Sequence, residues 1–415
     1  MKPLLLISYF FPPIGMAGPG RALGLFRHLP EFGYRPYVLT VKDIVYPAHD
    51  ASQLTEADEE FVTRTESWDP SRLLYRIGKR TPTRPNLTGR MSALATPDWQ
   101  VFWRRFALKE AQRLIREHDI KLALTTSPPP SIHRIGKTLK ERHGLKWVAD
   151  FRDMWVTRPI EHAYAGQRQR SQALSELNGI RESADMIVAV NDSVGGYVRA
   201  GRIVPNGADP AASTMWDNVS PHKDRVFRIG YLGATDSAQT LRPFVTSLSA
   251  ALEQSGALAH DIEVQFVGRV NETLLRSLFA EAKLSQSLKL CGYLPRGDAI
   301  RRLAGADALL VTLPDDELSH VTGSKIFDYL ASGKPIIALA PLGSELGKLA
   351  LAEGERVFEA TETEKLAAHL ADALNRRRVG PDSPETDRRA LKRRREEYSW
   401  RTMAMRFAGI LDELD

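Results

Sequence analysis

Short apolar runs alternate with amphipathic helical patterns along the whole chain. In the first half the runs are PLLLISYFF, RPYVLTV, LALTTSP, KWVADFRD and MIVAVND; in the second they are FRIGYLG, IEVQFVG, LKLCGYL, ALLVTL, PIIALAP and RVFEA. Strand-length runs that are apolar at consecutive positions are buried on both faces, and their alternation with helices is the pattern of βαβ units in a parallel sheet. Each half therefore predicts its own doubly wound, Rossmann-like α/β domain. The expected spans are 1–200 and 201–395, with the turn-rich connector GRIVPNGADP between them. The stretch from about 44 to 95 breaks the rhythm, being polar, rich in Pro and Thr and without strand periodicity, and it predicts an insertion in the first domain.

Composition narrows the class. With 43% hydrophobic and 26% charged residues, the 415-residue chain has enough apolar side chains for globular cores. Its single cysteine, Cys291, excludes an internal disulfide framework and a multi-cysteine metal cluster, and it predicts a small buried residue in a reducing compartment. MKPLLLISYFFPP is too short in its apolar run for a signal peptide and lacks a small-residue cleavage site, so it predicts a first strand and a cytoplasmic location.

A net charge of +6, dispersed along the chain, gives no reason to expect nucleic acid as a partner. Two local concentrations stand out. Arg72 to Arg116 is basic and interleaved with Trp99, Phe102 and Trp103, and NRRRVG and DRRALKRRREE lie near the end. Basic residues beside aromatics suit an anionic membrane surface or a lipid-phosphate acceptor; solvated helix faces with acidic neighbours are the alternative.

Three motifs carry chemistry. FFPPIGMAGPGR follows the first run and opens a helix, where glycines let backbone approach a ligand and a helix start favours an anion. The spacing of Gly15, Gly18 and Gly20 is not that of a dinucleotide fingerprint, so no nicotinamide cofactor is expected. VADFRDMW ends a strand in Asp150, Arg152 and Asp153, which either form an ion network or serve chemistry at the strand's carboxyl end; their spacing predicts no bound metal. HVTGSKIFDYLASGKP places Ser324 and Lys325 at the start of a helix whose polar stripe continues to Asp328, a seat for a diphosphate with a carboxylate one turn later for sugar hydroxyls. His133, in PPPSIHRIG, is either a packed residue or a general base.

ISYFFPPIGMAGPGR, TTSPPPSIH, DFRDMW, VPNGAD and GSKIFDYLASGKPI, in that order, resemble the GT-B fold family of retaining, nucleotide-sugar-dependent glycosyltransferases known as family four. Within it the chain is most similar to the branch that assembles bacterial surface polysaccharides and glycoconjugates. YSWRTMAMRFAGIL, within 396–415, resembles the family's last helix, which crosses back onto the first domain. The resemblance implies two domains facing across a cleft.

It also implies site residues. Gly15, Gly18 and Arg21 match the loop and basic residue near the donor diphosphate, with Gly233, Arg242 and Lys325 on the second domain's side. Tyr293 and Leu294 match the backbone that cradles the base, and Gly323 and Ser324 the diphosphate turn. Asp328 stands where the family has a ribose-binding glutamate, and His320 where it has a sugar-binding one, a departure that leaves the sugar open. Asp150 and Asp153 occupy a strand end where relatives carry a histidine, and with Lys325 they are the catalytic candidates. Trp99, Trp103, His133 and Arg152 are candidates for the acceptor side.

The implied reaction moves a sugar from a nucleoside-diphosphate sugar to a hydroxyl of a saccharide or lipid-linked acceptor, with retention and without a further cofactor. A nucleotide-sugar epimerase or hydrolase of the same fold, and a non-catalytic nucleotide-sugar-binding protein, are the alternatives.

Overall fold

The computed structural model describes residues 1–16, 18–79, 95–155, 167–218, 222, 224–234, 238–313, 318–379 and 387–415. They form two compact units, Met1–Gly207 with Trp400–Asp415, and Ala208–Ser399.

The first unit is built on seven strands: β1 (Lys2–Ile7), β2 (Tyr34–Val41), β3 (Val62–Thr65), β4 (Leu122–Thr126), β5 (Lys146–Phe151), β6 (Met186–Ala189) and β7 (Arg202–Ile203). They pair in parallel in the order β3-β2-β1-β4-β5-β6-β7. Leu4, Leu5, Leu6 and Ile7 are all fully buried, because alternate side chains of β1 enter two different cores. Leu5, Ile7, Ala149 and Phe151 meet the helices Arg104–Glu117, Ile132–His143 and Gln167–Ser183. Leu4, Leu6 and Val148 face the opposite way, toward Gly20–His28 and Trp400–Asp412. Those two helices pack so closely that a Cβ on Gly24 would lie 2.5 Å from Trp400 Cγ.

The second unit carries β8 (Phe227–Leu232), β9 (Ile262–Val267), β10 (Leu288–Gly292), β11 (Ala308–Thr312), β12 (Ile336–Leu339) and β13 (Arg356–Phe358). Their order is β10-β9-β8-β11-β12-β13, again parallel. Helices Ala238–Ser255, Glu272–Glu281 and Thr363–Val379 cover one face and Arg296–Leu303, Lys325–Ser332 and Glu345–Ala352 the other.

Both sheets reverse their winding once, between β1 and β4 and between β8 and β11. Ligands of doubly wound sheets bind at the strands' carboxyl ends at such a reversal. The loops after β1, β4, β8 and β11 are therefore where chemistry belongs.

Some expectations need adjustment. The stretch 44–95 is not strandless, since β3 lies within it as an edge strand; VTRT is short, polar and only partly buried, so no alternation marks it. The two residues of β7 are both exposed and carry no signal either. Cys291 is half-buried rather than sealed in a core. The run DRRALKRRREE divides: in the helix Arg388–Glu397, Arg388, Arg389 and Lys392 are exposed, whereas Arg393 and Arg394 grip the buried carboxylate of Glu353, and Arg395 takes both oxygens of Asp217 at 2.7 Å. Among the described residues no helix is long and apolar enough to cross a membrane.

Candidate functional site

In the second unit the site begins where β8 stops. Gly233 follows with φ +121° and donates its N–H to Val267 O at 2.9 Å; Gly268, with φ +135°, sits so close that a Cβ there would lie 2.3 Å from Gly233 O. Only glycine fits either position, and the strand ends present bare backbone. Tyr329, in the helix Lys325–Ser332, accepts the Leu232 N–H at 2.7 Å through its hydroxyl. That bond ties this helix to the end of β8.

Lys325 opens the helix, with its ammonium 4.0 Å from the centroid of the Tyr231 ring and 3.3 Å from the place a Cβ on Gly233 would occupy. It makes no hydrogen bond or ion pair among the described residues. Ser324 has helical backbone angles and makes no capping bond, so its hydroxyl does not close off the helix start, and Gly323 before it has φ +74° with open space where a Cβ would be. An ammonium, a free hydroxyl and the first N–H groups of a helix thus converge beside glycine backbone, an arrangement that stabilises an anion.

One turn on, Asp328 is 3% exposed and bonded by Arg296 Nη2 at 2.5 Å. Burial pushes its carboxyl above the ordinary aspartate range, against the pull of Arg296. Arg296 opens the helix that follows half-buried Tyr293 and Leu294. Sequence reasoning passed over Arg296; its signal was a cation shortly after the GYL turn. His320 is buried on the approach to the helix. Arg242 pairs with Glu281, on the neighbouring helix, at 2.9 Å, both side chains being largely exposed.

In the first unit Arg21 and Asp150 are brought together, but as each other's partner. Arg21 Nε and Nη2 meet the two Asp150 oxygens at 2.8 and 2.7 Å, Nη1 reaches Pro205 O at 2.8 Å, and Thr126 Oγ1 donates to the same carboxylate at 2.6 Å. Neither side chain touches solvent. A cation and a base so engaged serve the fold, not a ligand. Arg152 also works internally, donating to Ser127 O and to Gly18 O, the latter at 2.9 Å, which fixes the glycine loop; burial lowers its pKa. Gly15 is bonded through its N–H to Ala48 O at 2.9 Å. Asp153 remains partly exposed, with no ion pair among the described residues.

The acceptor-side aromatics divide. Trp103 is buried and donates to Thr65 Oγ1 at 2.7 Å, a core role, whereas Trp99 is half-buried against Phe102. His133 is completely buried, stacked 4.2 Å from Phe151, with Nδ1 2.8 Å from Thr125 Oγ1 and Nε2 unpartnered. Burial drives its pKa down to about 3, so it is a neutral packed ring rather than an accessible base.

No protein-family model matches the chain, and no curated protein sequence does. Solved structures match it along its whole length. Sucrose-phosphate synthase from Thermosynechococcus elongatus superposes with TM-score 0.62 at 16% identity, covering 100% of this chain and 99% of that one. A glycosyltransferase from Rickettsia africae gives 0.63 at 14%, with 100% and 98% coverage. An E. coli trehalose-6-phosphate protein bound with UDP-2-fluoro glucose gives 0.65 at 11%, with both chains covered completely. The fold is GT-B. In this GT-B chain the residues that converge at the second unit's reversal point are Gly233, Gly323, Ser324, Lys325 and, a turn further, Asp328 with Arg296.

Proposed function

We infer that the protein is a glycosyltransferase that takes a sugar from a nucleoside-diphosphate sugar and passes it to an acceptor hydroxyl with retention of configuration. One observation carries this reading: Lys325, an ammonium with no carboxylate partner among the described residues, stands at a helix start beside the positive-φ Gly233, at the reversal point of the second sheet. The structural neighbours include a protein bound with UDP-2-fluoro glucose, a ligand with the charge distribution this site suits.

The residues have separable tasks. Breaking the glycosidic bond leaves negative charge on the diphosphate, so donors already aimed at it lower the barrier. Lys325, the Ser324 hydroxyl and the first N–H groups of the helix supply those donors. Asp328, oriented by Arg296, accepts from the ribose hydroxyls, and the backbone at Tyr293 and Leu294 borders the base. His320 lines the side where the sugar sits. The acceptor's proton passes to the departing phosphate on the same face, so the reaction asks for no strong protein base. The acceptor is a saccharide or lipid-linked hydroxyl, as in assembly of polysaccharides and glycoconjugates.

The deciding experiment incubates the protein with UDP-, GDP- and dTDP-sugars, with and without saccharide acceptors, and follows free nucleotide and glycosylated product. Release of nucleotide that depends on acceptor supports transfer. Equal release without acceptor indicates a hydrolase or epimerase, and binding without release a nucleotide-sugar-binding protein.

A further inference from the structure

We propose that the first unit carries a second ligand site, for a small aromatic anion, at the amino ends of its strands. A cavity of about 380 Å³ opens there between Met1, Pro3, Arg35, Tyr37, Phe61 and His118. That volume suffices for a small molecule. The sheet creates the cavity by outrunning its cover. Pro3 pairs with Arg35 and Leu5 with Tyr37, so the four share one face of β1 and β2. The helix Arg104–Glu117 covers that face as far as Tyr37, where His118, its C-terminal cap, stacks its ring on the phenol ring with centroids 4.0 Å apart and planes 18° from parallel. Pro3 and Arg35, one pleat nearer the amino end, stay partly exposed.

Three polar groups line the cavity, and none of them is used by the protein. The Arg35 guanidinium carbon lies 4.6 Å from the centroid of the Phe61 ring, which in turn meets Tyr37 edge-on with centroids 5.8 Å apart. Resting on a ring orients the guanidinium, yet its N–H groups make no hydrogen bond or ion pair among the described residues. The carboxylates of the flanking segments are engaged elsewhere: Asp412 and Asp415 with Lys2, Glu59 with Arg64 and Asp119 with Lys121. Glu60, beside Phe61, is exposed and makes no ion pair with Arg35. The Tyr37 hydroxyl and the His118 ring nitrogens also have no hydrogen-bond partner among the described residues.

These groups define the ligand. An oriented guanidinium takes a carboxylate or a phosphate through two parallel hydrogen bonds, and a wall of Pro3, Tyr37 and Phe61 takes a flat apolar body. Together they select an aryl ring that bears an anionic group, over an inorganic anion or a neutral ring. The cavity is at the opposite end of the strands from the loops after β1 and β4, where a doubly wound sheet holds its substrate. Its occupant is therefore neither donor nor acceptor of the proposed sugar transfer, and the inference does not rest on that reading.

The test is isothermal titration calorimetry of the full chain with phenyl phosphate and with benzoate, against inorganic phosphate, which lacks the ring, and benzyl alcohol, which lacks the charge. The expected result is one-site binding of at least one of the two aryl anions, about tenfold or more tighter than either control. Arg35→Gln should weaken that binding about tenfold or more, and His118→Ala should weaken it less. Arg35→Lys, which keeps the charge and loses the planar fork, should fall between wild type and Arg35→Gln. Thermal unfolding near the wild-type temperature identifies the variants that are folded. Absence of binding by both aryl anions, a control that binds as tightly, or unchanged binding in folded Arg35→Gln or Arg35→Lys overturns the proposal. So does loss of binding in Lys325→Ala, which would put the probe at the anion seat of the second unit.

Discussion

Arg21 and Asp150, 129 positions apart, meet as a bidentate pair with neither side chain reaching solvent. The pair fastens the helix Gly20–His28 to the end of β5, and its third contact, to Pro205 O, reaches the segment after β7. Removing one partner leaves the other charge buried and uncompensated, which costs about 3–5 kcal/mol. Asp150→Asn and Arg21→Met are each expected to lower the unfolding free energy by that amount in urea titrations. The double variant should recover part of the loss, and a purely additive double mutant would mean that the two do not interact energetically.

Lys325 predicts the opposite pattern. Partly exposed and, among the described residues, engaged only with the Tyr231 ring, it contributes little to the fold. Lys325→Ala is expected to leave unfolding unchanged and to cut kcat/KM about 10²- to 10³-fold, the range for losing one preorganised donor to a developing anion. Wild-type turnover in this variant would remove Lys325 from the reaction.

Asp328 and Arg296 give a pH-dependent prediction. Burial already raises the Asp328 pKa and the Arg296 guanidinium pulls it back. Taking that cation away in Arg296→Ala raises the pKa further, so the ionised carboxylate forms only at higher pH. Calorimetry on the variant should therefore show donor affinity that falls with acidification over a range shifted upward from that of the wild type, with Arg296→Lys restoring most of it. A pH-independent loss would assign Arg296 a direct contact with the donor.

Helix packing supplies a further test. A Cβ on Gly24 would lie 2.5 Å from Trp400 Cγ and 2.9 Å from its Cβ, atoms near the backbone that cannot swing away. Gly24→Ala is expected to cost about 1–3 kcal/mol by overpacking, despite the better helix propensity of alanine. Thermal melts of Gly24→Ala and of Gly24→Ala with Trp400→Leu should differ, the smaller side chain relieving the clash.

Sequence and structure agree where the signal is local. Runs such as PLLLI and FRIGYL are apolar at consecutive positions because helices cover both sides of their strands, so each run declares itself. The GSK turn is equally local: its glycine, free hydroxyl and lysine are neighbours in the chain as they are in space. What the residues could not announce depends on distant partners. Nothing near Arg21 marks Asp150 as its counterion, and nothing near Arg242 marks Glu281. Trp103 and Trp99 look alike in sequence, yet the Thr65 hydroxyl sits where Trp103 can donate to it and stay buried. β3 was hidden for a different reason, being an edge strand with one buried side chain among partly covered polar ones.

His133 shows how such a hidden environment reaches an observable. Its ring is buried, stacked on Phe151, and bonded through Nδ1 to a Thr125 hydroxyl that also accepts the Trp147 indole N–H at 2.9 Å. Burial depresses its pKa from 6.5 to about 3. In the unfolded chain the imidazole takes up a proton as pH falls below about 6.5, whereas in the folded chain it stays neutral until about pH 3. The unfolded state therefore binds more protons across that window, and stability falls with acidification by about 1.4 kcal/mol per pH unit from this group alone. Above pH 6.5 its contribution is flat. His133→Phe keeps a ring against Phe151 and removes the proton. Urea titrations from pH 7 to 4 should show the difference in stability between wild type and variant shifting steadily in favour of the variant as pH falls; parallel curves over that range would mean that His133 takes up its proton without unfolding the chain.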